Sequence, residues 1–204
     1  MKSIYTYLIF ALVFLGTPAM ATEEPAFTVV SHEGDFEVRD YPALVVAEVT
    51  VTGDQKESAN KGFRLLAGYI FGGNTRQQSI AMTAPVAQQR AGEKIPMTAP
   101  VTQTQREGAW VVRFTMPHSY SLATLPKPND PSVRLRGLPP ARFAVVRFSG
   151  WADQKDFDAK AATLSEFMKS HRLRAAGPPS LSQYNPPWTL WFLRRNEVMI
   201  PLEP

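Results

Sequence analysis

Cysteine is absent from the 204-residue chain. That excludes a disulfide framework, a thiolate ligand or nucleophile, and a cysteine-linked lipid, so stability has to come from a hydrophobic core. Histidine is scarce: only His32, His118 and His171 are present. The N-terminal apolar run, residues 4–15, is short of the ~20 residues a helix needs to cross a bilayer. Neither charge sign dominates; the formal net charge is +4 and the basic residues are scattered, which argues against a nucleic-acid partner. Catalytic spacings are missing too. There is no G-x-S-x-G, and His32-Glu33 lacks the second histidine of H-E-x-x-H because Phe36 stands there. Gly72-Gly73 is too short to cradle a phosphate, and Asp153 and Asp156 read as helix-start chemistry. The expectation is a non-enzyme.

What is present begins with an export signal. Lys2 supplies the positive end, residues 4–15 the apolar stretch, and Ala19-Met20-Ala21 the small residues before a cleavage site. Residues 1–21 are read as the signal and 22–204 as one domain, working in the periplasm or outside the cell and touching the membrane only through the signal. An uncleaved anchor is the alternative. Loss of the signal removes Lys2 and no acid, which takes the charge from +4 to +3.

Eighteen prolines, clustered after residue 117 among aromatics, indicate stiffened loops in a β-rich fold. Phe27 starts a strand, and residues 36–41 alternate apolar and charged side chains, the period of a half-buried strand. Pro42 breaks it; residues 43–52 form the next strand. Asp54 or Ser58 caps a helix whose apolar stripe is Ala59, Phe63, Leu66, Ala67 and Ile70, and Gly72-Gly73 stops it. Further strands are expected at 110–116, 133–136, 141–148, 189–193 and 197–200. A second helix begins near Asp153, with Phe157, Ala161, Leu164 and Met168 on one face. The two halves share one plan. That predicts a single α+β domain: an antiparallel sheet or distorted barrel flanked by two helices, with an internal pseudo-twofold repeat.

The pentapeptide MTAPV occurs twice, at 82–86 and 97–101. Its apolar first, third and fifth positions let two antiparallel copies match, with Met82 facing Val101, Ala84 facing Ala99 and Val86 facing Met97. Thr83 then meets Pro100 on the other face. A hairpin turning at Ala91-Gly92 is expected. Its prolines put it at a sheet margin, where its methionines and valines either wall an apolar ligand or fill the core.

The stretches FEVRDYPALVVAEV, GYIFGGN, both MTAPV copies, FTMPHSYSLATLPKPNDPSV, VVRFSG and YNPPWTLWFLRRNEVMI resemble, in order and spacing, the SOUL haem-binding family. The resemblance implies a distorted β-barrel with two flanking helices that binds haem or a related tetrapyrrole in an apolar cleft, as a carrier, buffer or sensor. It also implies ligand contact along the first helix, with basic side chains near the propionates. Lys56, Lys61 and Arg64 are the basic residues there, with Phe63 and Tyr69 as neighbours and Met82 and Met97 as further contacts. The histidine proposed as iron ligand in some members follows the arginine of FEVR; here that position is Asp40. His118, at a strand end, is the candidate metal ligand instead. His171, at a helix end, reads as a partner of the helix dipole. Alternatives are a binder of another amphipathic small molecule, and an interaction protein that docks a partner through its Pro- and Trp-rich segment (Pro186, Pro187, Trp188, Trp191). Burial as core and rim packing is the simplest expectation for the two tryptophans.

Overall fold

The computed structural model describes residues 22–75 and 92–204. The expected signal, the first pentapeptide copy, Met82 and the pairing of the two copies lie outside the described residues.

In chain order the elements are β1 (Thr28–Glu33), β2 (Phe36–Tyr41), β3 (Leu44–Val51), α1 (Gln55–Ile70), β4 (Asn74–Thr75), β5 (Val101–Arg106), β6 (Ala109–Thr115) and β7 (Lys127–Pro128). There follow β8 (Arg134–Leu138), β9 (Ala141–Phe148), α2 (Gln154–Ser170), β10 (Ser180–Gln183), a 3₁₀ turn (Trp191–Leu193) and β11 (Asn196–Pro201). Among the described residues nine strands make one antiparallel sheet, ordered β1-β2-β9-β11-β10-β5-β6-β3-β8, which is not closed into a barrel; β4 and β7 pair separately.

The expected pseudo-twofold is written in that order. From β2 to β8 the sheet reads the same when β2 exchanges with β8, β9 with β3, β11 with β6 and β10 with β5. The axis falls between β10 and β5. Under the same exchange α1, packed on β3 and β6, becomes α2, packed on β9 and β11. Both helices therefore cover one face. Strand alternation sends Ala47, Val49, Val112, Phe114, Val146, Leu181 and Val198 to that side, into one core with Leu66 and Leu164. Burying a side chain such as either leucine stabilises the fold by roughly 1.5–3 kcal/mol.

Both helices start as expected. The Asp54 carboxylate accepts from the Glu57 amide at 2.8 Å, and the Asp153 carboxylate from the Asp156 amide at 2.9 Å. Helix α1 ends where Gly72 takes φ +114°, a backbone state that favours glycine. On α2, Phe157, Leu164 and Met168 are buried and Ala161 is half-buried, as the spacing predicts. Helix α1 differs: its buried line is Gln55, Ser58, Gly62, Leu66, Tyr69 and Ile70, while Phe63 stays 37% exposed. The helix is rolled about one position from the apolar stripe because Gly62 sits against the Val112 side chain. A Cβ there would lie 2.5 Å from Val112 Cγ2. Hydropathy assigns little weight to glycine and serine and so misses a face defined by close approach.

Three other expectations are corrected. Residues 189–193 are a turn and the 3₁₀ segment, not a strand, because Arg194 gathers the loop: its Nε donates to Thr189 O at 2.8 Å and its Nη2 to Pro187 O. The strand beside β11 is instead β10, whose polar sequence SLSQ carries little apolar alternation. The second pentapeptide copy is neither a regular strand nor a margin. Thr98, Ala99 and Pro100 are all buried, Ala99–Pro100 is cis, and Val101 begins β5 in the middle of the sheet. Thr98 donates to Thr115 O and bridges to Glu23, so its hydroxyl is satisfied inside and alternation is not enforced.

Candidate functional site

The face of the sheet opposite the helices is open and carries a cleft of about 440 Å³. It belongs to the side chains that alternate away from the core. Hydroxyls floor it along the pseudo-twofold: Thr102 and Thr104 on β5, Ser180 and Ser182 on β10, with Thr102 Oγ1 and Ser182 Oγ 3.2 Å apart. Leu44, Val46, Leu138, Phe143 and Met199 form apolar walls. Arg106, Arg113 and Arg136 complete one side. Beneath them lies Glu48, 8% exposed, which accepts from Arg113 Nε at 2.8 Å and from Arg136 Nη1 at 3.2 Å. Burial pushes the Glu48 carboxyl up, but the two guanidinium groups outweigh that and hold it below the usual range.

The other half of the same face is closed by a buried ionic network. Arg39 donates from Nη1 and Nη2 to the two Glu197 oxygens at 2.8 and 3.1 Å. Tyr184 donates to Glu197 at 2.7 Å, and Arg195 donates to it at 3.0 and 3.1 Å. The N-terminal segment is strapped over this end. Glu24 accepts from Arg195 at 2.9 Å, Phe27 lies under the Arg39 guanidinium at 4.3 Å, and Glu23 accepts from the His118 amide at 2.6 Å. Arg39 and Glu197 were not among the sequence candidates, because a period-two reading assigns charged residues to solvent.

A third surface is apolar and exposed. Trp188 is 83% exposed and Trp191 51%, which corrects the expectation of core packing; Leu190, Phe192 and Leu193 are exposed beside them in sequence, and Trp151, distant in sequence, is exposed as well. The loop is nonetheless ordered by its hydrogen bonds. Gly150 donates to Trp191 O at 3.1 Å, and Arg194 stacks over Trp151 at 4.6 Å. Next to Trp151, Ala152 O accepts from Gln55 at 3.5 Å, so this surface adjoins the first turn of α1.

The sequence-predicted residues separate. Lys56, Lys61 and Arg64 are exposed on α1, and Phe63 packs edge-on against Phe114 at 5.4 Å. Tyr69 is buried, donates to Pro126 O at 2.9 Å, and has its phenol pushed up chiefly by burial. Met97 is half-buried against the core. His118 is exposed, its Nδ1 3.0 Å from Glu23, at a smaller cavity of about 290 Å³ lined by no residue of α1 or of the 186–193 loop. His171 caps α2, with Nδ1 2.9 Å from Phe167 O and Nε2 3.1 Å from Glu33. Among the described residues no three His, Cys, Asp or Glu side chains converge as a metal site.

The class that this geometry defines is an α+β fold in which a twofold-repeated antiparallel sheet carries two helices on one face and a cleft on the other. The chain belongs to the SOUL heme-binding protein family, whose model matches residues 22–201. Among curated proteins no sequence match is found. Solved structures share the fold at low identity. The C-terminal domain of EcmrR is 11% identical with a TM-score of 0.58, over 82% of this chain and 96% of that one. A hydrolase from Listeria innocua is 11% identical with a TM-score of 0.52, over 85% and 94%. An uncharacterized conserved protein from the same organism is 12% identical with a TM-score of 0.53, over 90% and 94%. At such identities the likeness concerns the fold alone.

Proposed function

We propose that the protein binds haem or a related tetrapyrrole without turning it over, as a carrier, buffer or sensor outside the cytoplasm. Family membership supports the ligand class. The observation that carries the location is the exposed surface of Trp151, Trp188, Trp191 and Phe192 joined to the start of α1 by the Gln55–Ala152 contact. A flat apolar macrocycle gains most from flat apolar groups that are already ordered and unburied. Lys56, Lys61 and Arg64, exposed on α1, supply cations for the propionates. When bound, the group would bring its own iron chemistry; the chain's part is to hold the ring and pair its carboxylates. His118 lies in a separate cavity and is not needed in this arrangement.

The test is a hemin titration of the purified protein followed at the Soret band, with a non-tetrapyrrole hydrophobe as competitor. Saturable binding at micromolar protein that resists the competitor is expected. Absence of a saturable shift rejects the reading. Displacement by any hydrophobe would favour a general binder of amphipathic molecules.

A further inference from the structure

We propose that the helix-free face of the sheet is a second binding site, selective for amphipathic oxyanions: an apolar body ending in a carboxylate or phosphate. Its volume of about 440 Å³ is within the range of small-molecule pockets. The charge of its lining is one-sided. Among the described residues, Arg106, Arg113 and Arg136 line the cleft and no Asp or Glu does. Glu48, below the surface, offsets one of the three, leaving two positive charges in excess (three arginines less one glutamate). It also does so from one side: the pairs use Arg113 Nε and Arg136 Nη1, and among the described residues no other hydrogen bond engages these two guanidinium groups. The same pair holds Arg113 in place, its side chain only 16% exposed. The result is a guanidinium positioned beforehand beside an apolar wall, which is the arrangement that takes a carboxylate or phosphate in paired hydrogen bonds. Leu44, Leu138 and Phe143 face the same space and would cover the apolar body. A cationic ligand would meet excess positive charge, since Glu48 is already doubly paired. A neutral one would leave the arginines unanswered.

This proposal does not rest on tetrapyrrole binding, which we place at α1 and the 186–193 loop, no residue of which lines the cleft. Calorimetric titration of the purified protein with four probes of one tail length tests it: dodecanoate, dodecyl phosphate, dodecanol and dodecyltrimethylammonium. One or both anions are expected to bind saturably, at least tenfold more tightly than dodecanol, with no measurable binding of the cation. The better of the two anions identifies the head group. Arg106→Gln with Arg136→Gln should weaken the anion at least tenfold while leaving hemin uptake unchanged. These two arginines are exposed, so the variant is expected to fold; its unfolding curve checks this. Leu138→Trp, which fills the cleft without touching charge, should also weaken the anion. Equal binding of anion and alcohol, or an anion affinity indifferent to both variants, overturns the proposal. A parallel loss of hemin in the arginine variant would mean one site and also overturn it.

Discussion

Arg39 on β2 and Glu197 on β11 are joined by two hydrogen bonds across the intervening strand β9, and their side chains are 3% and 0% exposed. Removing one member of such a pair leaves a desolvated charge without its partner, which typically costs about 3–5 kcal/mol. Glu197→Gln should cost that much in urea unfolding, because Arg39 and Arg195 then share a neutral amide. Replacing both Arg39 and Glu197 by methionine should cost less than the two single changes added together. A Glu197→Gln loss below about 1 kcal/mol would show the network to be dispensable.

The same carboxylate sets a pH dependence. Burial pushes Glu197 up, but the hydrogen bonds and charge of Arg39, then Tyr184 and Arg195, hold it below its ordinary 4.5. A carboxyl lowered in the folded state stabilises fully above its unfolded value, and that contribution disappears as pH falls through the folded one. The stability gap between wild type and Glu197→Gln should therefore be flat from pH 7 to 4.5 and narrow only in more acid solution. A gap that closes between pH 7 and 5 would contradict the assignment.

Gly62 and Val112 show how closely α1 lies on β6. Alanine usually improves a helix interior by up to about 1 kcal/mol over glycine. Here the added Cβ would meet a fully buried, β-branched side chain at 2.5 Å, and overpacking of this kind costs about 1–3 kcal/mol. Gly62→Ala should be net destabilising by thermal melting, and Val112→Ala in the same chain should recover part of the loss. A raised melting temperature for the single change would refute the contact.

If the tetrapyrrole lies on the exposed aromatic surface, Trp188→Ala with Trp191→Ala should weaken hemin at least tenfold with little change in stability, since both rings are mostly outside the core. Lys61→Glu with Arg64→Glu should weaken it as well, by opposing the propionates. His118→Ala should leave the Soret spectrum unchanged. A spectral change in that variant would return His118 to the role of iron ligand.

For the export reading, protein recovered from a periplasmic fraction should begin at Thr22. An intact Met1 in membrane-bound material would favour the uncleaved anchor.

Both helices and their starts, the strands at 36–41, 43–52, 110–116, 133–136, 141–148 and 197–200, and the twofold plan were legible in the sequence, because period-two and period-3.6 patterns are local and an acidic residue just ahead of an apolar helical stripe marks a helix start. So was the family, from short motifs in order. The sequence placed residues 189–193 in a strand, but the hydrogen bonds of Arg194 curl them into a loop. It missed β10, whose place comes from the backbone ladders of β5 and β11 on either side and not from its own SLSQ.

The candidate sites were legible only in part. Lys61 and Arg64 could be assigned to a helix face by counting. The company of Arg106, Arg113 and Arg136 could not, since they come from three strands and converge only when β5, β6 and β8 assemble around β3. Nor could the exposure of Trp188 and Trp191, because a large apolar ring reads locally as burial and its covering depends on what the fold brings against it. The sequence by itself determined most of the elements and the kinship, both consequences of local pattern. The tertiary structure decided which charges are buried, which are left facing a cleft, and which aromatics remain in water, because those depend on what lies across the sheet, often a hundred residues or more away in the chain.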